Sequence, residues 1–365
     1  METYRAALIG CSRMGAFIDN EGSKPLPPYS HAASYEACPR TQLIACSDLR
    51  PEVMKEVGIR YGVPKHAQYT DYKMMIDSEQ PDIVSVATQP EQRAEIVVYA
   101  AQNGVKAIYA EKAMAASMDE AKKMVEVVEN RGVAFNLGTN RRWESGFDTM
   151  KEVVREGKIG QLRSIILYDS GSLFNAASHS FDLAFWLNDD QPAISVQANL
   201  PDGDSMISND LLTEDPLGEG IIRFENGVTA YSLLTGRRGE FGVTTERGTL
   251  RSLSNGDEWE MRCYDSEKLH IDNDHCSPTD LFPDFTRRSS SLRIVEDLVH
   301  SLDTGQPTRG GVRTAYKSTE LIFAFIESHI KGGSRVDLPL NNSKIRLHRG
   351  HRKARLPVFK RVNLY

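Results

Sequence analysis

The stretch GCSRMG, residues 10–15, sets Gly10, Ser12 and Gly15 directly after an apolar run ending in Leu8-Ile9. A Gly-x-Gly-x-x-Gly turn between strand and helix brings backbone N–H groups onto a pyrophosphate. Gly10 permits the tight turn and Gly15 the close packing of the following helix. Ser12 fills the middle position, where it is small enough to admit a phosphate and can donate to it; Arg13 and Met14 complete the turn. The second apolar run ends in Ser47-Asp48. A carboxylate there accepts the ribose hydroxyls of NAD and repels the 2′-phosphate of NADP. Arg50, two residues on, keeps NADP open, and the preference is for NAD. Gly15 and Asp48 stand further apart than the usual spacing of about 20 residues; a Gly- and Pro-rich surface loop around NEGSKPLPPYSH accounts for the excess. Taken alone, GCSRMG reads equally well as a strand–turn–helix without a ligand.

Two further groups carry chemistry. Glu111-Lys112 follows the apolar run 105–110. At the C-terminal end of a parallel strand such a pair faces the edge where open α/β sheets bind ligands; the alternative is a solvated ion pair. If 173–187 is helical, Asn175, His179 and Asp182 share one face at i, i+4 and i+7. His179 titrates near neutrality and can relay a proton. Asn175 can bind a hydroxyl but cannot be a base. The alternative for His179 is a core histidine tied to Asp182, and Trp186 is expected in the core. His270, Asp272, Asp274, His275 and Cys276 fall within seven residues, too crowded for a closed tetrahedral site. They are expected in an exposed loop, and no metal site is predicted.

These groups need elements to position them. Over 365 residues, two domains are expected. Short runs rich in Val, Ile and Ala at 4–9, 42–47, 82–87, 105–110 and 133–138 alternate with helical patterns at 51–61, 70–78, 91–103 and 117–131. That is the signature of a parallel sheet covered by helices. Ser117 and Glu120 form a capping box, and Gly132 stops the last of these helices. After a helix at 145–156, strands dominate at 161–168, 193–200, 219–225, 228–235, 241–247 and 259–264. Asn226-Gly227 turns a hairpin, and helices follow at 285–303 and 312–331. The predicted architecture is α/β followed by α+β. A Rossmann dinucleotide-binding domain spans 1–144, an open-faced, mostly antiparallel sheet with helices on one side spans 145–340, and a basic tail spans 341–365.

Charge and cysteine content narrow the class. The net charge of −6 conceals a tail with eight Lys or Arg and no acid from residue 338 on, leaving 36 basic against 50 acidic residues elsewhere. Apolar Leu356, Val358, Phe359 and Leu364 among those charges favour docking on an acidic surface, of this chain or of a neighbouring subunit, over nucleic acid. Five cysteines without a C-x-x-C spacing suit reduced thiols in the cytoplasm. No apolar run reaches the length of a membrane span, and the opening METYRAALIG lacks a signal-peptide layout.

The segment VVYAAQNGVKAIYAEKAMAA (97–116) resembles the glucose–fructose oxidoreductase/inositol dehydrogenase (Gfo/Idh/MocA) family, whose hallmark is helix, Gly turn, strand and Glu-Lys-Pro. ATQPEQR (87–93) is similar to its nicotinamide-side loop, GTNRRW (138–143) to its domain crossover, SHSFDLAFWL (178–187) to its His-x-x-Asp helix, and SHIKGGSRVDLPL (328–340) to its C-terminal helix exit. The resemblance implies that Lys112 handles the proton and that Glu111 orients the cofactor or the lysine. It also implies that Thr88, Gln89, Pro90 and Asn140 meet the cofactor. Arg141, Arg142 and Trp143 would then line a carbohydrate cleft, with Lys112, His179 and Asn175 as the residues acting on substrate. Departures are Ala113 for proline, Ser12 for glycine, Arg93 for a frequent histidine, and Asn175 where inositol-type dehydrogenases carry aspartate.

The leading reading is an NAD-dependent oxidoreductase for a secondary hydroxyl, or the matching ketone, of a sugar, polyol or glycoside. One alternative retains the cofactor and uses transient oxidation for glycoside cleavage or epimerisation; another is a non-catalytic NAD-binding scaffold. Partners are then a small carbohydrate and further copies of the chain in a homodimer or homotetramer, with neither nucleic acid nor membrane.

Overall fold

The computed structural model describes residues 3–21, 26–169, 171–235, 239–263, 281–350 and 356–359. The chain divides into two compact units. One comprises residues 1–143, 288–319 and 348–365; the other comprises 144–287 and 320–347.

The first unit is built on six strands: β1 (Tyr4–Ile9), β2 (Thr41–Ser47), β3 (Gln68–Tyr69), β4 (Ile83–Val86), β5 (Ala107–Ala110) and β6 (Ala134–Leu137). They pair in parallel in the order β3-β2-β1-β4-β5-β6. This is the doubly wound dinucleotide-binding order, whose direction reverses between β1 and β4. β4 and β5 are buried at every position, which explains their unbroken apolar runs. The crossovers are α1 (His31–Ala37), α2 (Pro51–Tyr61), α3 (Tyr72–Glu79), α4 (Pro90–Gln102) and α5 (Met118–Asn130). Their ends follow capping chemistry. Pro51 and Pro90 start α2 and α4, and Gly62 closes α2 at φ +74°. Ser117 Oγ accepts from the Glu120 N–H at 3.3 Å, while the Glu120 carboxylate returns to the N–H of Ala116, at 3.1 Å.

The turn after β1 departs from expectation. It leads not into a full α-helix but into a π turn (Arg13–Phe17) and a 3₁₀ turn (Ile18–Asn20), and the inserted segment returns to helix only at α1. The insertion therefore splits the first crossover helix rather than lengthening a loop elsewhere.

The second unit begins with α6 (Ser145–Arg155), β7 (Leu162–Asp169), a π turn (Leu173–Ala177), α7 (Ser178–Leu187), β8 (Ala193–Asn199) and a short α8 (Gly203–Met206). Strands β9 (Ile207–Ser208), β10 (Leu211–Leu212), β11 (Glu219–Phe224), β12 (Thr229–Leu234), β13 (Glu240–Thr245), β14 (Gly248–Leu253) and β15 (Glu258–Cys263) follow. The chain then passes through α9 (Ser290–Thr304) and the start of α10 (Val312–Ile330) in the first unit, and returns to the second for the rest of α10, β16 (Val336–Asp337) and β17 (Arg346–Leu347). The eight-stranded sheet runs β15-β14-β13-β7-β12-β11-β8-β16 and is antiparallel except between β7 and β12. Asn226-Gly227 turns β11 into β12, with Gly227 at φ +85°. Along β7, Ile165 and Leu167 are buried while Ile166 and Tyr168 are half-exposed, so one face packs and the other stays open. Edge-to-face rings such as Phe147–Phe241 and Phe185–Phe224 seat α6 and α7 on the packed face.

The units do not follow the expected division at 145–340. Residues 288–319 return to the first unit, because α9 buries Ile294, Val295 and Leu298 in its core. Asn136 Nδ2 on β6 also donates to Asp297 Oδ2 at 3.0 Å. The described tail residues join the same unit. Arg349 pairs with Glu91 at 2.8 Å, Asn20 Nδ2 donates to the Val358 carbonyl at 2.6 Å, and Phe359 packs edge-on against Phe17. Among the described residues no helix is long and apolar enough to cross a membrane. The five candidate metal-binding residues from His270 to Cys276 lie outside the described residues.

Candidate functional site

Gly10 takes φ +89°, and a Cβ there would stand 2.7 Å from the Ala87 carbonyl oxygen. A Cβ on Gly15 would collide with the carbonyl oxygen of Gly10. Both glycines are thus required by close backbone approach, as a phosphate-binding turn demands. Ser12 precedes the π turn, and its carbonyl accepts from Ala16 N–H at 2.9 Å. Met14 is half-buried. Arg13 is exposed and turned to Glu21, with Nε 2.7 Å from Oε2. The turn lies at the switch point: Gly10 follows β1, and Ala87–Pro90 follows the adjacent β4.

Asp48 ends β2 and faces this turn. Its Oδ2 accepts from the Cys11 N–H at 2.9 Å and from Arg50 Nη2 at 3.1 Å. Its Oδ1 accepts from the Arg50 N–H at 3.0 Å and from Arg50 Nε at 2.9 Å. A carboxylate has about four acceptor sites, so Arg50 occupies three of them. A ribose hydroxyl reaches Asp48 only if the Arg50 side chain moves aside. The residues fit a dinucleotide: the two glycines leave the cradle open, and Asp48 and Arg50 stand where the adenosine ribose would lie.

Glu111-Lys112 leaves the C-terminal end of β5, as expected, but Glu111 is not a surface partner. It is buried at 6% exposure, with Oε1 3.2 Å from His31 Nε2 and Oε2 accepting from the Lys112 backbone N–H at 3.3 Å. Burial alone would raise its proton affinity. The hydrogen bond and charge of His31, followed by the charges of Lys112 and Arg93, instead bring its pKa down to about 2. Glu111 is therefore ionised at neutral pH. Lys112 is half-buried, and the Lys112–Ala113 peptide is cis. Arg93 on α4 is fully buried and donates to the carbonyls of Thr88 and Ala113. It joins the loop after β4 to the loop after β5. Burial lowers its pKa to about 10, which leaves it charged. Thr88 is half-exposed, Pro90 is buried at the start of α4, and exposed Gln89 receives Arg349 Nη2 at 2.9 Å.

In the crossover segment Asn140 and Arg141 are half-exposed, but Arg142 and Trp143 are buried. The expectation that Arg142 and Trp143 face a carbohydrate is corrected. Trp143 belongs to the first unit's core and carries the Arg309 guanidinium over its ring at 5.2 Å. The Arg142 carbonyl accepts from Arg309.

In the second unit the segment 173–187 is a π turn running into α7. Asn175 sits in the π turn and is exposed, whereas His179 and Asp182 lie in α7, half-buried and buried respectively. The carboxylate of Asp215 caps this turn, accepting from Phe174 N–H at 2.8 Å and Asn175 N–H at 3.0 Å. Trp186, expected in the core, is half-buried under the ammonium of Lys151, 3.6 Å from its ring centre.

Residues 4–139 match the model of the Gfo/Idh/MocA oxidoreductase family, described as an NAD-binding Rossmann fold. Over this first domain the chain is similar to that family. It is 29% identical over 160 residues to D-apiose dehydrogenase of Paraburkholderia graminis, covering 44% of this chain and 38% of that protein. It is 26% identical over 281 residues to levoglucosan dehydrogenase of Pseudarthrobacter phenanthrenivorans, covering 70% of this chain and 66% of that one. The chain thus spans between about a third and two thirds of the curated relatives it matches. A solved levoglucosan dehydrogenase in complex with NADH and levoglucosan superposes with a TM-score of 0.70 at 20% identity, over 93% of this chain and 100% of that one. The likeness extends the fold of this family to both domains.

Residues that carry the site without a sequence signal are His31, Ser85 and Asp215. His31 ends the quoted insertion NEGSKPLPPYSH, yet nothing in its spacing joins it to Glu111, eighty positions away.

Proposed function

We propose that this protein is an NAD-dependent oxidoreductase of the cytoplasm that acts on a secondary hydroxyl, or the corresponding ketone, of a sugar, polyol or glycoside. The observation that carries the reading is the ionised, buried Glu111 holding the Lys112 turn at the strand end beside the Gly10–Gly15 turn, in a chain whose first domain is that of an NAD-binding oxidoreductase. The names of its relatives, D-apiose and levoglucosan dehydrogenase, support a carbohydrate substrate.

Bound NAD would supply a hydride acceptor. The cradle of Gly10 and Gly15 would take the diphosphate, with Ser12 at its middle, and Thr88, Gln89, Pro90 and Asn140 are assigned to the nicotinamide side. Asp48 would take the ribose once Arg50 releases it, which favours NAD over NADP. Lys112 would hold the reacting oxygen through its amine: in ketone reduction its ammonium, favoured by the negative Glu111, would donate the hydroxyl proton, and in alcohol oxidation the neutral amine would take it. His179 is assigned the second proton-handling role, and Asn175 and Arg141 hydroxyl binding. The open face of the second unit's sheet, with Ile166, Tyr168 and exposed Leu233, is assigned to a second copy in a homodimer or homotetramer.

The test is reduction of NAD by the purified protein against a panel containing levoglucosan, D-apiose and inositols, with Lys112→Met as control. NADH production from one of these sugars, lost in Lys112→Met, is expected. Unchanged turnover in that variant removes Lys112 from the chemistry. A second reading, in which the cofactor is retained through the cycle, is favoured by the tail. Val358 and Phe359 touch Asn20 and Phe17 just beyond the glycine turn, and Arg349 holds Gln89 at its other flank. Nucleotide that co-purifies in equal proportion to protein, without net NADH release, would select it.

A further inference from the structure

We propose that His31 is a positioning residue for Lys112: it fixes the Glu111 carboxylate against the Lys112 peptide, so that the inserted segment after the phosphate turn and the Glu-Lys turn work as one assembly. The inference deepens the reading of Lys112 as the proton-handling residue.

His31 is placed by the returning end of the insertion. Asp19 accepts from the N–H groups of Tyr29 and Ser30 at 2.7 and 2.9 Å, Ser30 caps α1 through Ala33 N–H at 3.2 Å, and Ser291 Oγ on α9 donates to the Tyr29 carbonyl at 3.0 Å. The imidazole then enters the core stacked on the Tyr109 ring, 3.8 Å between centres. Its Nδ1 lies 2.8 Å from Ser85 Oγ, and that oxygen lies 2.7 Å from the Tyr35 hydroxyl. All of these groups are buried.

Burial keeps the Tyr35 hydroxyl protonated, and it shares a hydrogen bond with Ser85, which in turn bonds Nδ1. The Nε2–H is left to donate to Glu111 Oε1. The row of dipoles ends on a carboxylate whose other oxygen holds the Lys112 N–H. Glycine at 138 leaves room for it, since a Cβ there would stand 3.1 Å from Glu111 Oε1. A core that only needed its polar groups satisfied would not aim the last of them at the peptide of an ionisable residue on the ligand-binding edge.

Four groups face Glu111: His31 from α1, Tyr109 from β5, Arg93 from α4 and Lys112 beside it. Without the His31 donor the Glu111 carboxylate is no longer held against the Lys112 peptide, and the negative neighbour that keeps the Lys112 amine protonated moves away. Lys112 then loses its proton at lower pH.

The experiment needs neither substrate nor cofactor. The full-length protein is acylated with acetic anhydride across a pH series, and the rate at Lys112 is read by peptide mass spectrometry. Near pH 8, His31→Leu and Glu111→Gln are each expected to label at Lys112 about threefold or more faster than wild type. Surface lysines such as Lys123 should not change, and the double variant should add little. His31→Gln, whose amide can donate to Glu111 and accept from Ser85, is expected to label as wild type. Wild-type labelling in both His31→Leu and Glu111→Gln, whatever their thermal midpoints, overturns the proposal; if His31→Leu does not fold, Glu111→Gln decides alone. Failure of the functional reading looks different: wild-type protein that binds no NADH and oxidises no sugar, with the labelling pattern intact.

Discussion

The two turns on the ligand-binding edge of the first unit are made in opposite ways. The Gly10–Gly15 turn works by omission: side chains are missing where backbone meets backbone. The Glu111-Lys112 turn works by commitment: His31, Arg93, Ser85 and Tyr35 are buried to hold one carboxylate and two carbonyls. A turn of the first kind is broken by adding a methyl group. One of the second kind is altered by moving a proton or removing a donor. Nucleotide affinity should therefore track the first turn, and proton-dependent behaviour the second.

The largest effect expected is from Gly15→Ala. Its Cβ would meet the Gly10 carbonyl oxygen, backbone that cannot rotate away, and overpacking of this kind costs about 1–3 kcal/mol or more. NADH binding should be lost and the thermal midpoint lowered; a variant that binds as wild type would show that the turn is not a close-packed cradle. Next comes Lys112→Met. Turnover should fall by about 10²–10⁴-fold, the range for one acid–base group, while the NADH dissociation constant stays within a few-fold. Parallel loss of binding and turnover would erase the distinction between the turns.

Acid should act on the second turn alone. Glu111 has its folded pKa lowered to about 2, against about 4.3 unfolded. Its ionised form adds stability that is complete above about pH 4.3 and is lost as pH falls through about 2. The amount is about 3 kcal/mol. Chemical denaturation from pH 5 to pH 2 should show this loss in wild type, and a shallower one in Glu111→Gln; equal slopes would mean that Glu111 is not held ionised. A smaller effect belongs to Arg50→Ala. Freeing two acceptor sites on Asp48 should tighten NADH by roughly fivefold, about 1 kcal/mol, and widen its preference over NADPH. Looser NADH with unchanged NADPH would show that Arg50 is not a competitor for the ribose site. The smallest is Arg349→Ala, which removes the bidentate pair with Glu91. About 1 kcal/mol should appear as a fall of a few degrees in thermal midpoint, and no change would leave the tail without a stabilising role.

The same contrast marks what could be read from the sequence. The strands β1, β4 and β5 announce themselves because burial on both faces demands unbroken apolar runs, and Gly10, Gly15, Asp48 and Glu111-Lys112 follow from where those runs end. Ser117 with Glu120 and Asn226-Gly227 were legible because caps and hairpin turns are local chemistry. The π turns at Arg13–Phe17 and Leu173–Ala177 were not, since apolar spacing near 3.6 residues does not separate a π turn from an α-helix. Arg142 and Trp143 were misassigned because Arg and Trp suit a sugar and a core cation–π pair equally well. His31 stayed hidden, and Arg93 was noted without its partners, because Glu111, Thr88 and Ala113 are joined to them only by the sheet order. The return of α9 to the first unit depends on Asn136 and Asp297 meeting across 161 positions, which no local pattern records.

The most direct test of the central claim is a fluorescence titration of the nucleotide-stripped protein with NADH and with NADPH, in wild type and in Gly15→Ala. The account expects wild type to bind NADH at least tenfold more tightly than NADPH, and folded Gly15→Ala to bind neither. Wild type that binds neither nucleotide, or folded Gly15→Ala that binds NADH as well as wild type, would contradict it.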